Sequence, residues 1–522
     1  MHTPTVEPLE ARIVLSGLVI VNPHTATYTD SDGDHVTVKV SAGTLTDAAF
    51  TFTPAGALAE LELGPSFYGA DVTFSVVRAP HGDGLANVGL IDAPGVNLGN
   101  VTVAGDLGRI IASSSSGTVP AVQSLDVYSM GRIGTDSQEG VVNPSLESQI
   151  TGTLGALKIT ADDSGTYILV TGGDIGSIKI GGSLIGGSAE NSGEIAVSGS
   201  GDIGPIKIGH DILGGTGQQS GSIVGEGTIG TVTIGGSIIG GSGAESGEIL
   251  GGSIGLVHIA GNLQGGDNGG SGVVLAESIN GTLAGITIGG SLIGGPDGAT
   301  GGIESDGTIG VIHIGHDDLG GLITADGIAS ITVGGSVIGD SFNGSGQISS
   351  GGSIGPVTIG RDVIGSGAGP AGIGAASSVA SVTVGGSVYS GAIGGSQVGP
   401  VSIHGNLQGT VFSRVGPIGN VTIGGSLAAG VGDGAGSIAS ETTLGEVKIG
   451  GEDQGGDIGA GGNIAGVTVG GSLTGGPSSD SGVIDTTAGN IGPVKIGGDF
   501  TGGSAEGTGT LGSSGLIESA GS

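Results

Sequence analysis

Cysteine and tryptophan are both absent from this chain. The lack of cysteine excludes disulfides, zinc–thiolate centres and thiol catalysis, and it leaves the compartment open. Aromatic residues make up only 2% of the 522 positions, so Ile, Val and Leu must carry whatever core exists. Basic residues are scarce: Lys and Arg number 12 against 47 Asp and Glu, a net charge of −35. A surface that acidic repels phosphate backbones and anionic lipid, which sets nucleic acid aside as a partner and favours cations. No apolar run reaches the ~18 residues a membrane-spanning helix needs. The longest near the start, Ile13–Val21, is interrupted by Ser16 and Gly17. Without a basic flank or an A-x-A site, it is a weak match to a signal peptide.

What the chain does have is glycine, 124 residues, together with 17 Pro. Such a level suggests low complexity when no period accompanies it. Here a period is present, and a mean hydropathy of +0.33 also argues against disorder. The clearest copy is Ile229-Gly230-Thr231-Val232-Thr233-Ile234-Gly235-Gly236-Ser237-Ile238-Ile239-Gly240-Gly241. Related copies begin at Leu98, Val122, Leu154, Ile175, Ile203, Ile229, Ile254, Leu283, Ile309, Ile328, Ile354, Val379, Val398, Ile418, Leu444, Ile464 and Ile491. The mean step is about 25 residues, within the range of solenoids. Individual steps run from 19 (Ile309 to Ile328) to 32 (Val122 to Leu154), as expected when loops vary and strands do not.

Within each copy the two branched residues of Val232-Thr233-Ile234 point one way and the residue between them points the other. β-Branched residues suit a pleated strand, and Gly every few residues weighs against helix. Glycine pairs such as Gly181-Gly182 and Gly289-Gly290 are expected to make corners through positive φ. A small polar residue follows, then an apolar one, then a third short strand. Three strands and three turns per step predict an all-β, three-sided parallel β-helix of about 17 coils. A β-propeller needs ~40 residues per blade and fits less well. The solenoid is assigned 98–522, residues 18–97 a small, sandwich-like antiparallel β cap, and 1–17 a separate N-terminal segment. The cap follows from the alternation in His35–Val40 and Val72–Val76, and exposed solenoid ends need covering.

The outward position between the branched residues holds Lys158, Lys179, Lys207, His258, His313, Lys448 and Lys495, with Thr or Ser in most other copies. Five of the six lysines lie in this column; Lys39 is the sixth. The column reads either as a solvated face or as a contact stripe for an anionic glycan or a neighbouring chain, with Lys179, Lys207, His258 and His313 as binding candidates. In the cap, Asp30-Ser31-Asp32-Gly33-Asp34 reads either as an acidic β-turn or as an isolated Ca²⁺ loop. It is not an EF-hand, because the Glu expected at loop position 12 is Ser41. No other cofactor is required.

The segment Leu9-Glu10-Ala11-Arg12-Ile13-Val14-Leu15-Ser16-Gly17 resembles the LEPR-XLL motif of large, repetitive bacterial surface or exported proteins. It departs from that motif at Ala11, where the motif has Pro, and at Val14, where it usually has Leu. Residues 26–106 also look like the opening module of such proteins. The resemblance implies export and a surface or matrix role, extracellular and bacterial, and it carries over no catalytic residue.

Many β-helices cleave polysaccharides, which requires clustered carboxylates. The best candidates are His316, Asp317 and Asp318. However, Gly209-His210-Asp211 and Gly360-Arg361-Asp362 occupy the same repeat position, so His316-Asp317 reads as a variant of the Gly-Ser corner. Asp318 and Asp453 replace the usual apolar residue and mark a bulge or a site. The expectation is an adhesin-like structural protein, a spacer or binding surface, and not an enzyme. The alternative is a secreted β-helix that binds, hydrolyses or eliminates glycans. The final residues, Gly515–Ser522, read as the beginning of another coil.

Overall fold

The computed structural model describes residues 17–114, 117–297, 300–339, 345–365, 371–429, 436–476, 481–503 and 514–521. The LEPR-XLL-like segment therefore lies outside the described residues, apart from Gly17. The described residues form β-strands and three short 3₁₀ turns, with no α-helix. The chain divides into two compact units: Met1–Asp211 with Ser220–Thr228, and Ile212–Gln219 with Ile229–Ser522.

The first unit opens with antiparallel pairing. Strands Val19–Asn22, Thr25–Thr29, His35–Val40 and Ala70–Val77 form one ribbon, and Phe50–Phe52 with Leu58–Glu62 a second. Tyr28, Phe50 and Phe52 pack together here, with Tyr28 edge-on to Phe52 at 5.2 Å between ring centroids. Each ribbon then passes directly into parallel pairing. Ala70–Val77 pairs with the first part of Leu98–Ser113, and Leu58–Glu62 pairs with Ala86–Ala93. The cap thus extends the solenoid's own sheets and covers their first edges.

Beyond it, every coil repeats three strands. Leu157–Ile159, Asp163–Ser164 and Tyr167–Thr171 pair in parallel with Ile178–Ile180, Leu184–Ile185 and Glu194–Ser198. The second unit is built the same way from Val232–Ile234 and Ile238–Ile239 onward. The residues that open each sequence copy fall into one register. Leu98, Val122, Leu154, Ile175 and Ile203 are successive partners in the first unit. Ile254 to Ile491 are successive partners in the second. These side chains are buried almost without exception, and with the branched strand residues they form the core. A lone coil cannot bury its apolar face, so this stacking stabilises all of them.

Two corner types recur between the second strand and the third. In the long type the inward residues are eleven positions apart, as from Ile238 to Ile249. A buried hydroxyl fastens it: Ser246 Oγ accepts the Gly241 N–H at 2.9 Å and donates to the Gly243 carbonyl at 2.7 Å. Ser192, Ser271 and Thr300 make the same pair of bonds in their own coils. Gly247 follows with φ +66°, and a Cβ there would press on the Ile239 backbone.

In the short type the separation is five, as from Asp318 to Ile323 and from Asp453 to Ile458. This accounts for the shortest repeat steps. Three of these corners begin with an inward Asp followed two residues later by Gly in the left-handed region: Asp163 and Gly165, Asp318 and Gly320, Asp453 and Gly455.

The glycine pairs act differently from expectation. Gly289 and Gly290 do not have positive φ. Instead they lie against the preceding coil, where a Cβ at Gly289 would collide with the Ala260 carbonyl and one at Gly290 with the Asn262 side chain. Space, rather than backbone freedom, excludes a side chain there.

Candidate functional site

The first candidate is the turn between Thr25–Thr29 and His35–Val40. One oxygen from each of Asp30, Asp32 and Asp34 lies within 4.8 Å of the others. Asp30 and Asp34 are buried and Asp32 is exposed. Gly33, at φ +98°, lets the chain reverse between them, and the turn closes through Asp30 N–H to the Asp34 carbonyl at 3.0 Å. Two of the carboxylates hold a neighbouring loop. Asp34 accepts N–H bonds from Ala79 (2.6 Å) and Gly84 (2.5 Å), and Asp32 accepts the Asp83 N–H at 2.8 Å. Asp30 Oδ1 accepts the Asp34 N–H at 2.9 Å, while Asp30 Oδ2 is buried with no hydrogen-bond partner. Burial, followed by the adjoining Asp32, pushes Asp30 up to about 7. The adjoining Asp30 carboxyl holds Asp32 below its usual range.

The second candidate is the outward column. Lys158, Lys179 and Lys207 are direct partners on adjacent strands, and all three are exposed. Above Lys158 the column continues through Asp126, Thr102 and Thr73 to Lys39. The expectation that Lys39 stands apart is therefore corrected. Antiparallel pairing of the cap carries Lys39 into the same column as Lys158, Lys179 and Lys207, while Lys448 and Lys495 pair with Thr422 and Thr468 within the second unit. No spacing within the repeat could reveal this, because the register passes through a hairpin that has no copy of the motif. Lys158 bonds Asp126 at 2.7 Å, and Lys448 bonds Glu446 at 3.0 Å. Lys179 and Lys207 make no ion pair among the described residues. In the second unit, His258 and His313 are exposed at this position with Thr287 between them.

The third candidate, His316-Asp317-Asp318, is divided among separate tasks. His316 faces solvent. Asp317 belongs to a ladder of corner side chains, each receiving an N–H from the same position of the next coil. Ser291 Oγ accepts from Asp317 at 3.3 Å, Asp317 Oδ1 from Ser336 at 2.7 Å, and Ser336 Oγ from Asp362 at 3.4 Å. Asp318 points into the core between Leu292 and Val337 with no exposed surface. Its Oδ1 accepts the Gly321 N–H at 2.9 Å, as Asp453 Oδ1 accepts that of Gly456 at 2.8 Å. The second oxygen of each is buried and unpartnered. Burial pushes Asp318 up to about 8 and Asp453 up to about 7, partly offset in each by that N–H.

Asp163, passed over in the sequence, has the same place in its coil. It receives a bond from Thr166 Oγ1 at 2.5 Å, and burial pushes it up to about 7. The signal that would have found all three is Asp-x-Gly at a short repeat step. Glu194, also missed, is buried with Oε2 unpartnered, and burial pushes it up to about 8. An open hollow of about 720 Å³ beside Ser31, lined also by Thr53, Asn87 and Asp136, adds no converging charged set. None of the described helices is long and apolar enough to cross a membrane. No protein-family model, curated protein or solved structure matches the chain.

Proposed function

We propose that this chain is an extracellular or cell-surface structural protein of a bacterium, whose coils serve as a spacer and present a binding face. The observation that carries the reading is the alignment of Lys39, Lys158, Lys179 and Lys207 in one outward column of the first unit, in a chain of net charge −35. Strands in a sheet lie ~4.8 Å apart, and like charges placed opposite one another destabilise it. Thr occupies this position in many coils without that penalty. Lys179 and Lys207 nevertheless stand side by side and without an ion pair among the described residues. Their counter-charge is best supplied from outside, by an anionic glycan or an acidic surface of a neighbouring protein. The resemblance of residues 9–17 to the LEPR-XLL motif supports export.

A glycan array tests the binding face. The wild type should bind carboxylated or sulfated glycans, with signal that falls as salt is raised. Lys179→Ser with Lys207→Ser should lose at least tenfold. Retention of full signal by that double variant would sink the reading. The rival reading, a polysaccharide-cleaving enzyme built on His316, Asp317 and Asp318, gains no support from the structural tasks those side chains perform.

A further inference from the structure

The three carboxylates of the 30–34 turn face one another closely. Arg78, beside the loop that this turn holds, bonds the Gly82 carbonyl at 2.7 Å, and Arg132 approaches Asp83 at 3.8 Å. No ion pair among the described residues involves Asp30, Asp32 or Asp34. Hydrogen bonds from N–H groups account for both oxygens of Asp34 and both of Asp32. They leave Asp30 Oδ2, on a residue only 5% exposed, with none. The Tyr28 hydroxyl, 2% exposed, is likewise unpartnered and close enough to feel the Asp30 charge. Leaving a buried carboxylate oxygen unsatisfied is costly, and a turn that merely reverses the chain does not need it.

We propose that Asp30, Asp32 and Asp34 bind one Ca²⁺, with Asp30 Oδ2 as its most deeply buried ligand. Ca²⁺ takes oxygen ligands at ~2.3–2.6 Å, so two ligands on opposite sides of the ion stand about 4.8 Å apart. The three carboxylate oxygens lie within that span of one another. Mg²⁺ binds at ~2.0–2.1 Å and needs a tighter, near-octahedral set. Exposed Asp32 leaves one side for water to complete the shell. Because Asp32 and Asp34 also hold the N–H groups of Ala79, Asp83 and Gly84, the ion fastens the turn to loop 79–84. That loop leads from Ala70–Val77 into Ala86–Ala93, where parallel pairing begins. The ion would therefore secure the first rungs of the solenoid against opening.

The test uses the full chain, stripped with a chelator and returned to buffer of physiological salt. Calorimetric titration with CaCl₂ should give one specific site. Deuterium exchange should slow in peptides covering 25–40 and 78–93 and stay unchanged in distant coils. Terbium should replace calcium and luminesce by transfer from Tyr28, and Tyr28→Phe should lose the luminescence while still binding calcium. Asp30→Asn keeps the Oδ1 acceptor for the Asp34 N–H, and calcium affinity should fall at least tenfold. Absence of a specific site in the wild type at 10 mM calcium would overturn the proposal, whatever the variants do. So would uptake that Asp30→Asn leaves unchanged, which would mean a diffuse ion atmosphere around an acidic protein. Tighter binding of Mg²⁺ than of Ca²⁺ would overturn the choice of ion.

Discussion

Replacing Asp318 by Asn should stabilise its coil, and the gain should depend on pH in a defined way. Asp318 lies in the core with one oxygen on the Gly321 N–H and the other unpartnered. Its pKa rises from 3.8 to about 8, through burial. Between those values the folded chain holds a proton that the unfolded chain has released. The native state therefore loses stability as pH rises across this window, by about 1.4 kcal/mol per unit. The contribution is complete below pH 3.8, about 3 kcal/mol of it is gone at pH 6, and about 5 kcal/mol at pH 8. Asn keeps the acceptor that shapes the corner and cannot ionise. The variant should match the wild type within about 1 kcal/mol at pH 4 and exceed it by about 5 kcal/mol at pH 8. Stacked coils open locally, so a global midpoint is a poor readout. Hydrogen exchange of peptides covering 309–333, compared between the two proteins at the same pH, reads the relevant opening. A protection difference that does not grow with pH, or a variant less protected at pH 8, would mean that Asp318 is not held protonated in the core.

Ser246→Ala removes both bonds of the long-corner clamp and should cost roughly 1–3 kcal/mol, seen as faster exchange confined to 238–250. Ile312→Ala, at a position with no exposed surface, should cost about 2–5 kcal/mol and open a proteolytic site near its own coil before distant ones. Gly290→Ala forces a Cβ against the Asn262 side chain, and should destabilise more than Ser291→Ala in the same exchange assay. Equal effects of these two corner changes would mean that the corner yields readily and that close approach is not what requires glycine.

Much of the fold can be read directly from period-2 alternation. Ile312 and Ile314 declare an inward face by that alternation, Ile309 joins them through the recurring apolar-x-x-apolar-x-apolar pattern, and all three are buried in their parallel register. The corner position of Asp317 is legible too, because His210-Asp211 and Arg361-Asp362 repeat it, whereas its bonds to the neighbouring coils are not. What alternation could not reveal depends on contacts between coils. A glycine that avoids the preceding carbonyl and one that adopts positive φ are the same letter in a sequence. Asp163, Asp318 and Asp453 break the apolar pattern, and only the five-residue distance to the next inward side chain identifies them as corner makers. Lys39 joins the lysine column through antiparallel pairing, which leaves no trace in a parallel repeat. At the Asp30 turn the sequence shows three acids, while the unsatisfied oxygen that distinguishes a ligand set from a plain turn comes only from packing.

The surface role is tested most directly by shaving intact source cells with a Glu-specific protease and identifying the released peptides. Lys and Arg are too few for trypsin, whereas Glu190, Glu226 and Glu277 are exposed. Peptides from the repeat region should be released while the cells remain intact. Peptides that appear only after lysis would contradict the surface role.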